Sequence, residues 1–435
     1  MLKYQESECF YSALFDELFP IMRSITGPGL RHSYDIFARY MPLDTLSIKT
    51  GETIFDWTVP QEWHCSEAYL IGPDGDKIAD MSRLNIEVVN YSEPVDKELD
   101  LVQLQEHLYS LPEQPDAIPY VTSYYKKRWG FCLAHSAREN LKPGKYRAVI
   151  KSSFEDGSLD IAQTMLSGES KKEVLLSSYL CHPSMANNEL SGPLVLLGLY
   201  QRIKNWPRRR YSYRFILNPE TIGSLGVLHF IGDELRNNLE AGLVINCMGG
   251  SQSELTFKHS RNDTGLLDAL LYHLNDYGHH HHNIPFSPLS GSDERQYNSP
   301  GFQLPVCCVS RSFHDGYSEY HTSLDNKAYM GIKPLLDSID KLEKLFLAFE
   351  QSATFNNLKP FGEPNLGSRG LYPTLSFFSE ERASQADELD RIKMLLCYSD
   401  GENNTIDIAN KHGQCVSEYA SAITKLENNE LLGMV

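Results

Sequence analysis

The chain has 435 residues, 41% of them hydrophobic and 22% charged, which is the composition of a globular protein with room for about two or three domains. Its formal net charge of −17 argues against nucleic acid and against an anionic membrane surface as partners, because contacts to phosphate need clustered Lys and Arg. No apolar run approaches the roughly 20 residues of a membrane span, and the polar N-terminal stretch lacks the features of a signal peptide. The nine cysteines are scattered, several of them in apolar segments, which indicates reduced thiols and a cytoplasmic protein.

The first elements of the chain are predicted to be two helices. Apolar residues recur at helical spacing between Phe10 and Ile21, and a second helix is expected at residues 30–40 after a Gly-Pro-Gly break. From residue 56 onward, short alternating runs are separated by turn-forming residues. We therefore expect a small β-rich inserted domain at residues 56–125.

Strands and helices are predicted to alternate in the middle of the chain. The apolar runs predicted as strands lie at residues 174–180, 213–217, 243–247 and 304–309. The predicted helices lie at residues 191–202, 222–231, 266–274 and 332–349. This alternation indicates an α/β domain with a mainly parallel, mixed sheet and helices on both faces, formed by residues 1–55 and 126–360.

The C-terminal part, residues 361–435, is predicted to form a winged-helix-like domain. Three short helical segments at residues 389–396, 405–410 and 419–426 have the spacing of a helix-turn-helix or winged-helix module. From Glu380 to the end, eleven side chains are acidic and five are basic, whereas a DNA-reading module should be basic. We therefore expect packing or homo-oligomerisation from this domain, and no nucleic-acid binding.

One histidine motif, at residues 181–192, follows directly after a predicted strand. His182 comes at the end of that strand, and the motif then leads into a helix. Ligands and metals bind at the carboxyl ends of strands in open α/β sheets, so His182 is a candidate metal ligand. The alternative is that His182 closes the strand and that Asn187 and Asn188 cap the helix.

A second histidine motif, at residues 320–326, lies some distance after the last predicted strand. His321 is preceded by Glu319 and followed by Asp325. Two histidines plus carboxylates from separate strand ends are what a zinc site with an open position needs. Asp325 or a backbone carbonyl can orient the ring of His321; the alternative is a buried histidine with satisfied hydrogen bonds.

Glu220 follows another predicted strand and brings a carboxylate to the same edge of the sheet. It can be a metal ligand or the general base that deprotonates an activated water. The alternative is an ordinary carboxylate near a helix start. The polar loop at Ser292 and Asp293 either lines the pocket or forms a solvated turn.

Two further features are predicted to be structural. Cys247 ends a strand and is expected to be a buried core thiol, with a zinc ligand as the alternative. The run His279 to His282 follows a predicted helix and is expected to be a surface loop.

Taken in order, these motifs resemble the zinc aminopeptidases of the M28 type. The resemblance covers roughly residues 141–350 and the N-terminal helices. It rests on His182, the Asn-x-x-x-Ser-Gly piece at residues 187–192, Glu220, Ser292-Asp293 and the His-Thr-x-x-Asp piece at residues 321–325. It implies a zinc-peptidase/phosphorylase-like fold.

The whole chain is similar to a bacterial subgroup of these aminopeptidase-like proteins. Members carry a β-rich insertion, whose ends match residues 60–63 and 129–132, and a winged-helix C-terminus. They often accompany surface-polysaccharide biosynthesis functions, which the resemblance extends to this chain as an expectation.

The resemblance also implies roles for particular residues. His182 and His321 match the family's two metal-binding histidines, and Glu220 matches its catalytic base. The family's bridging aspartate, the second glutamate of its Glu-Glu pair and its third ligand fall, in that order, on Asn188, Thr221 and Cys247. Two zinc ions about 3.5–4 Å apart need anionic ligands, so these changes favour one metal over two.

We therefore expect one Zn²⁺ held by His182, Glu189 and His321, with Asp293 as the substitute for Glu189. Glu220 is expected to act as general base in the hydrolysis of a short peptide or an amide-bearing sugar. The residues expected at the substrate are Asn188, Asp293 and Glu319. The alternative is a non-catalytic binding or scaffold protein that kept the peptidase fold and lost the metal.

Overall fold

The computed structural model describes residues 7–313, 316–372 and 380–435, with side chains described except at residues 380–385. Residues 1–6, part of the stretch that lacks signal-peptide features, lie outside them. The helices are α1 (Glu8–Leu18), α2 (Pro28–Ala38), α3 (Leu101–Leu104), α4 (His135–Glu139), α5 (Ser191–Lys204), α6 (Ile222–Asn238), α7 (Leu266–Asp276), α8 (Glu294–Tyr297), α9 (Lys327–Met330), α10 (Ile332–Phe349), α11 (Glu380–Tyr398), α12 (Thr405–His412) and α13 (Ala420–Asn428). The strands are β1 (Asp44–Lys49), β2 (Thr53–Ile54), β3 (Trp57–Thr58), β4 (Glu62–Ile71), β5 (Lys77–Asp80), β6 (Val95–Asp100), β7 (Leu108–Tyr109), β8 (Phe131–Cys132), β9 (Lys145–Glu155), β10 (Ser158–Leu166), β11 (Glu173–Tyr179), β12 (Ser212–Asn218), β13 (Leu239–Ile245), β14 (Thr256–Lys258), β15 (His282–Ile284), β16 (Val306–Ser310), β17 (Thr354–Asn357), β18 (Asp400–Asn404) and β19 (Leu432–Met434).

The largest sheet has eight strands in the order β1-β10-β12-β11-β13-β16-β14-β15. Its central strands β12, β11, β13 and β16 are parallel to one another. The flanking strands β10 and β14 pair antiparallel with β12 and β16. The predicted α/β fold with a mixed sheet is confirmed.

Helices cover both faces of this sheet. Successive side chains of a strand point to opposite faces. Leu175 of β11 packs in one buried cluster with Val227 of α6, whereas a Cβ placed on Gly192 of α5 would lie 2.3 Å from Oγ of Ser178 on the other face of β11. The apolar helix α5 is thus buried against the sheet. No helix in the described part of the chain combines the length and hydropathy that a membrane crossing needs.

The four parallel strands bring four segments of the chain to one edge of the sheet. Because the strands run in the same direction, the residues that follow them emerge side by side. His182 follows β11, Glu220 follows β12 and Cys247 follows β13. This edge therefore collects the side chains that the sequence motifs singled out.

A second sheet of four strands, ordered β5-β4-β9-β6, forms most of the β-rich insertion. β4 pairs antiparallel with β9, from Glu62 opposite Glu155 to Ile71 opposite Arg147. Because β9 lies beyond the predicted segment 56–125, the sheet includes residues that the turn signals alone did not assign to it.

The chain divides into two compact units, one of Met1–Asn262 with Ile284–Asp340 and one of Asp263–Asn283 with Lys341–Val435. The second unit contains a three-stranded antiparallel sheet ordered β18-β17-β19. From α11 to β19 its elements follow the order helix, strand, helix, helix, strand, which is that of a winged helix.

Candidate active site

His182 lies between two carboxylates at the carboxyl edge of the large sheet. Its Nδ1 is 2.5 Å from Oε2 of Glu189, and its Nε2 is 3.6 Å from Oε2 of Glu220. The side chain of His182 is only 6% exposed. A carboxylate on Nδ1 fixes the orientation of an imidazole and directs its chemistry to Nε2.

Glu189 is held from its other side by a buried arginine. Nε of Arg23 lies 4.0 Å from Oε1 of Glu189, and both side chains are fully buried. The same Nε donates a 3.1 Å hydrogen bond to the carbonyl of His182. Glu189 was predicted as a metal ligand; its carboxylate faces Nδ1 of His182, and Cys181, His182 and Glu189 each offer a ligand atom within 4.8 Å of the others. Sequence reasoning missed Arg23, since no local pattern links it to residues so far along the chain.

Asp325 organises the turn that carries Glu189. Ala186–Leu190 forms a single π-helical turn, a feature often found at functional sites. The amides of Asn187 and Asn188 donate to the two carboxylate oxygens of Asp325, at 2.6 and 2.8 Å. Burial raises the pKa of Asp325 to about 6, against the opposing effect of these hydrogen bonds. The structure thus gives Asp325 a partner that the sequence did not predict for it.

Asn188 faces neutral groups. Its Nδ2 donates to the hydroxyl of Tyr179 at 2.8 Å and lies 3.9 Å from Sγ of Cys247. Its Oδ1 is buried and has no hydrogen-bond partner among the described residues. Burial, with a contribution from Asp325, raises the pKa of the Cys247 thiol to about 12. An amide and a thiol therefore stand where the family resemblance places carboxylate ligands.

Glu220 presents one oxygen to a hydrogen-bond donor and the other to His182. Oγ of Ser292 donates to Oε1 of Glu220 at 2.8 Å. Oε2 is the atom that faces Nε2 of His182. The Glu220 side chain is 28% exposed, so water can reach it, as a general base requires.

Asp293 lies beneath Glu220. It accepts hydrogen bonds from the amide of Thr221 at 2.6 Å and from Nδ2 of Asn218 at 2.8 Å. Thr221 has φ of 63°, a conformation that is strained for a β-branched residue. Burial and the charge of Glu220 raise the pKa of Asp293 to about 7. Asp293 was predicted to contact substrate or metal; in the structure it is fully buried and both of its oxygens accept hydrogen bonds.

His321 stands beside His182, with ring centroids 5.4 Å apart. The ring of Tyr320 stacks on it at 3.9 Å.

Glu319, predicted to bind substrate, is half-buried and accepts a hydrogen bond from Oγ of Ser318 at 3.2 Å. The run at residues 279–282, largely exposed, belongs to the other compact unit.

These residues fit one bound cation better than two. Burial lowers the pKa of His182, but Cys181, Tyr120 and Glu189 outweigh it and hold that pKa well above its usual value. Nε2 itself faces the carboxylate of Glu220 at 3.6 Å, an oxygen that can accompany a bound cation. At Asn188 and Cys247, by contrast, an amide and a thiol offer less negative charge than the carboxylates that two adjacent divalent ions need.

The mixed sheet and its edge site define a protein with the zinc-aminopeptidase fold. A zinc aminopeptidase from Bacillus subtilis has a TM-score of 0.56 at 12% identity, with 79% of this chain and 93% of that chain covered. A peptidase M28 precursor from Shewanella amazonensis gives the same values. At this identity the likeness shows the fold, and it confirms the predicted resemblance to the M28 type.

The chain belongs to the family described as "Domain of unknown function (DUF4910)", which matches residues 12–352. A winged helix-turn-helix family matches residues 353–434, which confirms the predicted C-terminal domain. A Clostridium acetobutylicum relative named "Putative polysaccharide biosynthesis protein with aminopeptidase-like domain" is 39% identical over 425 residues, covering 97% of this chain and 95% of the relative. The crystal structure of a "putative peptidase" from the same organism has a TM-score of 0.86 at 37% identity, with 99% and 97% of the two chains covered.

Proposed function

We propose that this protein is a zinc-dependent, aminopeptidase-like hydrolase that cleaves a peptide or amide bond. The observation that carries the proposal is the row of Glu189, His182 and Glu220, in which one carboxylate holds Nδ1 at 2.5 Å and another faces Nε2 at 3.6 Å. His182, Glu189 and His321 would hold the ion, as predicted, since Glu189 and His182 offer ligand atoms within 4.8 Å of each other. Without the ion, Glu189 orients His182 through Nδ1.

When bound, zinc supplies Lewis-acid polarisation of a scissile carbonyl and of an attacking water. Glu220 accepts a proton from that water at Oε2 while the water oxygen bonds to the carbonyl carbon. It then passes the proton to the leaving nitrogen as the carbon–nitrogen bond breaks. Ser292 occupies Oε1, so proton transfer is confined to the oxygen that faces His182. Glu319, on the loop of His321, is the candidate partner for the free amino group of a substrate.

The proposed substrate class rests on the fold and on the relatives. The aminopeptidase fold suits short peptides, and the name of the Clostridium acetobutylicum relative places that protein in polysaccharide biosynthesis. We propose the same setting, in the cytoplasm, and therefore an amide-bearing sugar as the second substrate class.

The winged-helix domain is proposed to serve packing or homo-oligomerisation without nucleic acid. On α13 the exposed side chains include Lys425, which is paired with Glu388, along with Ser421 and Thr424. A cation already neutralised in this way offers little to a phosphate backbone. Salt-dependent DNA binding by the purified protein would contradict this part of the proposal, and light scattering would report its oligomeric state.

The metal content of purified, untagged protein tests the central proposal. One equivalent of zinc per chain, lost in His182→Ala and retained in the exposed control His32→Ala, is the expected result. A panel of aminoacyl and N-acyl amino sugar substrates should be hydrolysed by the protein that holds zinc and not by the variant that lacks it. Absence of metal in both proteins after zinc addition would overturn the proposal.

The neutral environment of Asn188 and Cys247 favours one alternative. A protein that has lost the carboxylate ligands of its fold family can retain the cleft as a non-catalytic binding or scaffold site. The same metal measurement separates the two functions, since a binding protein would lack zinc while keeping its folded structure.

A further inference from the structure

The β-rich insertion reaches the candidate active site through residues 118–124, here called the clamp segment. Pro119 and Thr322 form an antiparallel β-bridge. The amide of Tyr120 donates to the carbonyl of His321 at 2.8 Å, and the amide of Ser323 donates to the carbonyl of Ile118 at 2.8 Å. Two main-chain hydrogen bonds therefore enclose the predicted metal-binding histidine.

Side chains reinforce this contact. The amide of Ile118 donates to Oγ of Ser323 at 3.0 Å. Nε2 of Gln114, just before the clamp segment, donates to the carbonyl of Ser318 at 2.8 Å. The loop of His321 is thus bound to the insertion on both sides of the histidine.

The ring of Tyr120 contacts both histidines. Its centroid is 5.2 Å from that of His182 and 5.4 Å from that of His321, in edge-to-face geometry at 67° and 89°. Tyr120 is 9% exposed, and its hydroxyl lies 2.8 Å from that of Tyr124. A ring held in this way restricts the rotation of two imidazoles at once.

His321 needs such support because its backbone is in the left-handed region, with φ of 55°. For a residue other than glycine this conformation is unfavourable and persists only where the surroundings impose it. The Tyr120 amide bonds the carbonyl of His321 itself. The clamp segment therefore acts at the residue that carries the strain.

The clamp segment is also tied to the other side of the site. The amide of Asn90 donates to the carbonyl of Val121, and the amide of Ser123 donates to the carbonyl of Asn90, each at 2.9 Å. Nδ2 of Asn90 donates to the carbonyl of Arg23, whose side chain bonds the carbonyl of His182. Both histidines are therefore connected to the insertion through short hydrogen-bonded paths.

We infer that Tyr120 is a positioning residue for the metal site, and that the insertion is a working part of that site. This inference rests on the proposed zinc-binding function. The main chain of the clamp segment fixes the loop of His321, and the ring of Tyr120 sets the angle between His182 and His321. The relative orientation of the two imidazole rings is then determined before any ion binds.

Zinc affinity of the full chain, measured by competition with a chromophoric chelator, tests this inference. We expect Tyr120→Ala to weaken zinc binding about 10- to 100-fold, the usual effect of losing a group that orients a ligand. Tyr120→Phe keeps the ring and should stay within about threefold of the parent. Tyr125→Ala, on a neighbouring tyrosine that is 62% exposed, is the matched control and should bind zinc normally.

A second readout separates this inference from the proposed function. In metal-free protein, hydrogen exchange of the Ser323 amide should be slow in the parent and faster in Tyr120→Ala. The melting temperature of the protein should change little between the two. If the parent binds no zinc, the proposed function fails, and the hydrogen-exchange measurement alone tests whether the clamp segment holds the loop of His321. If zinc binds and Tyr120→Ala matches the parent in affinity and in exchange, the inference is overturned while the function stands.

Discussion

Oε2 of Glu189 lies 2.5 Å from Nδ1 of His182, while Oε1 of the same carboxylate lies 4.0 Å from Nε of Arg23. A buried anion thus connects an imidazole to a guanidinium at the edge of the sheet. Breaking a buried charge pair from one side leaves the other charge uncompensated. The chemistry of His182 and the stability of the fold therefore depend on the same carboxylate.

Glu189→Gln should show both effects. We expect a loss of about 3 kcal/mol in the free energy of unfolding, because Arg23 would keep its charge without a counter-ion, and weaker zinc binding, because Nδ1 would lose its charged partner. Urea unfolding and zinc titration measure the two. The matched control is Glu67→Gln, which removes an exposed ion pair with Lys151 and should cost less than about 1 kcal/mol. Equal effects of the two substitutions would contradict the assignment.

Glu220→Gln should separate metal binding from proton transfer. If Glu220 is the general base, the variant keeps its zinc and loses activity by at least about 10²-fold. Ser292→Ala, which removes only the hydrogen bond to Oε1, should cause a smaller loss. Elemental analysis and steady-state rates on the same preparations check both. Loss of zinc from Glu220→Gln would make Glu220 a ligand, and full activity would exclude it from catalysis.

Asn188→Asp combined with Cys247→Asp should increase the metal content from one ion per chain toward two. The carboxylates would replace a buried amide, whose Oδ1 lacks a partner among the described residues, and a neutral thiol. Two adjacent divalent ions need this anionic charge. Asn187→Asp is the control, since Oδ1 of Asn187 already accepts a hydrogen bond from the amide of Gly249. A metal content unchanged from the parent would mean that other residues block the second position.

The pH dependence of stability should carry the signature of Asp293. Its pKa is raised to about 7 in the folded protein, above the value of about 3.9 for an exposed aspartate. The folded state therefore binds more protons than the unfolded state between these values, and the free energy of unfolding falls as pH rises from about 4 to about 7. The contribution is on the order of 2–4 kcal/mol. Urea unfolding of chelator-treated protein at several pH values should show this slope.

Asp293→Asn should reduce that slope, because the substituted amide does not titrate. Asp233→Asn provides the control, since the side chain of Asp233 is 92% exposed and its removal should leave the slope unchanged. If the slope is the same in Asp293→Asn and in the parent, the proton uptake belongs to another group. Asp325 is then the first candidate.

The residues next to strand ends could be predicted because the signal is local. An apolar run predicts a buried parallel strand, and the polar residue after it emerges at the ligand-binding edge; His182 and Glu220 were found in this way. Glu189 was found as well, but its role was assigned by proximity in sequence. Its side chain turns toward Nδ1 and Arg23, and this direction follows from the π-helical turn held by Asp325.

Arg23 and Tyr120 could not be found from the sequence. Each makes its decisive contacts with residues more than one hundred positions away, at His182 and His321, and neither has neighbours of a recognisable pattern. The sequence by itself determined the α/β class and the C-terminal module, and it supplied the candidate site residues, since these depend on periodicity and on local order. Only the tertiary structure decided which carboxylate faces which nitrogen and which distant segment holds the histidines, because those relationships arise when separate strands and an inserted sheet pack against one another.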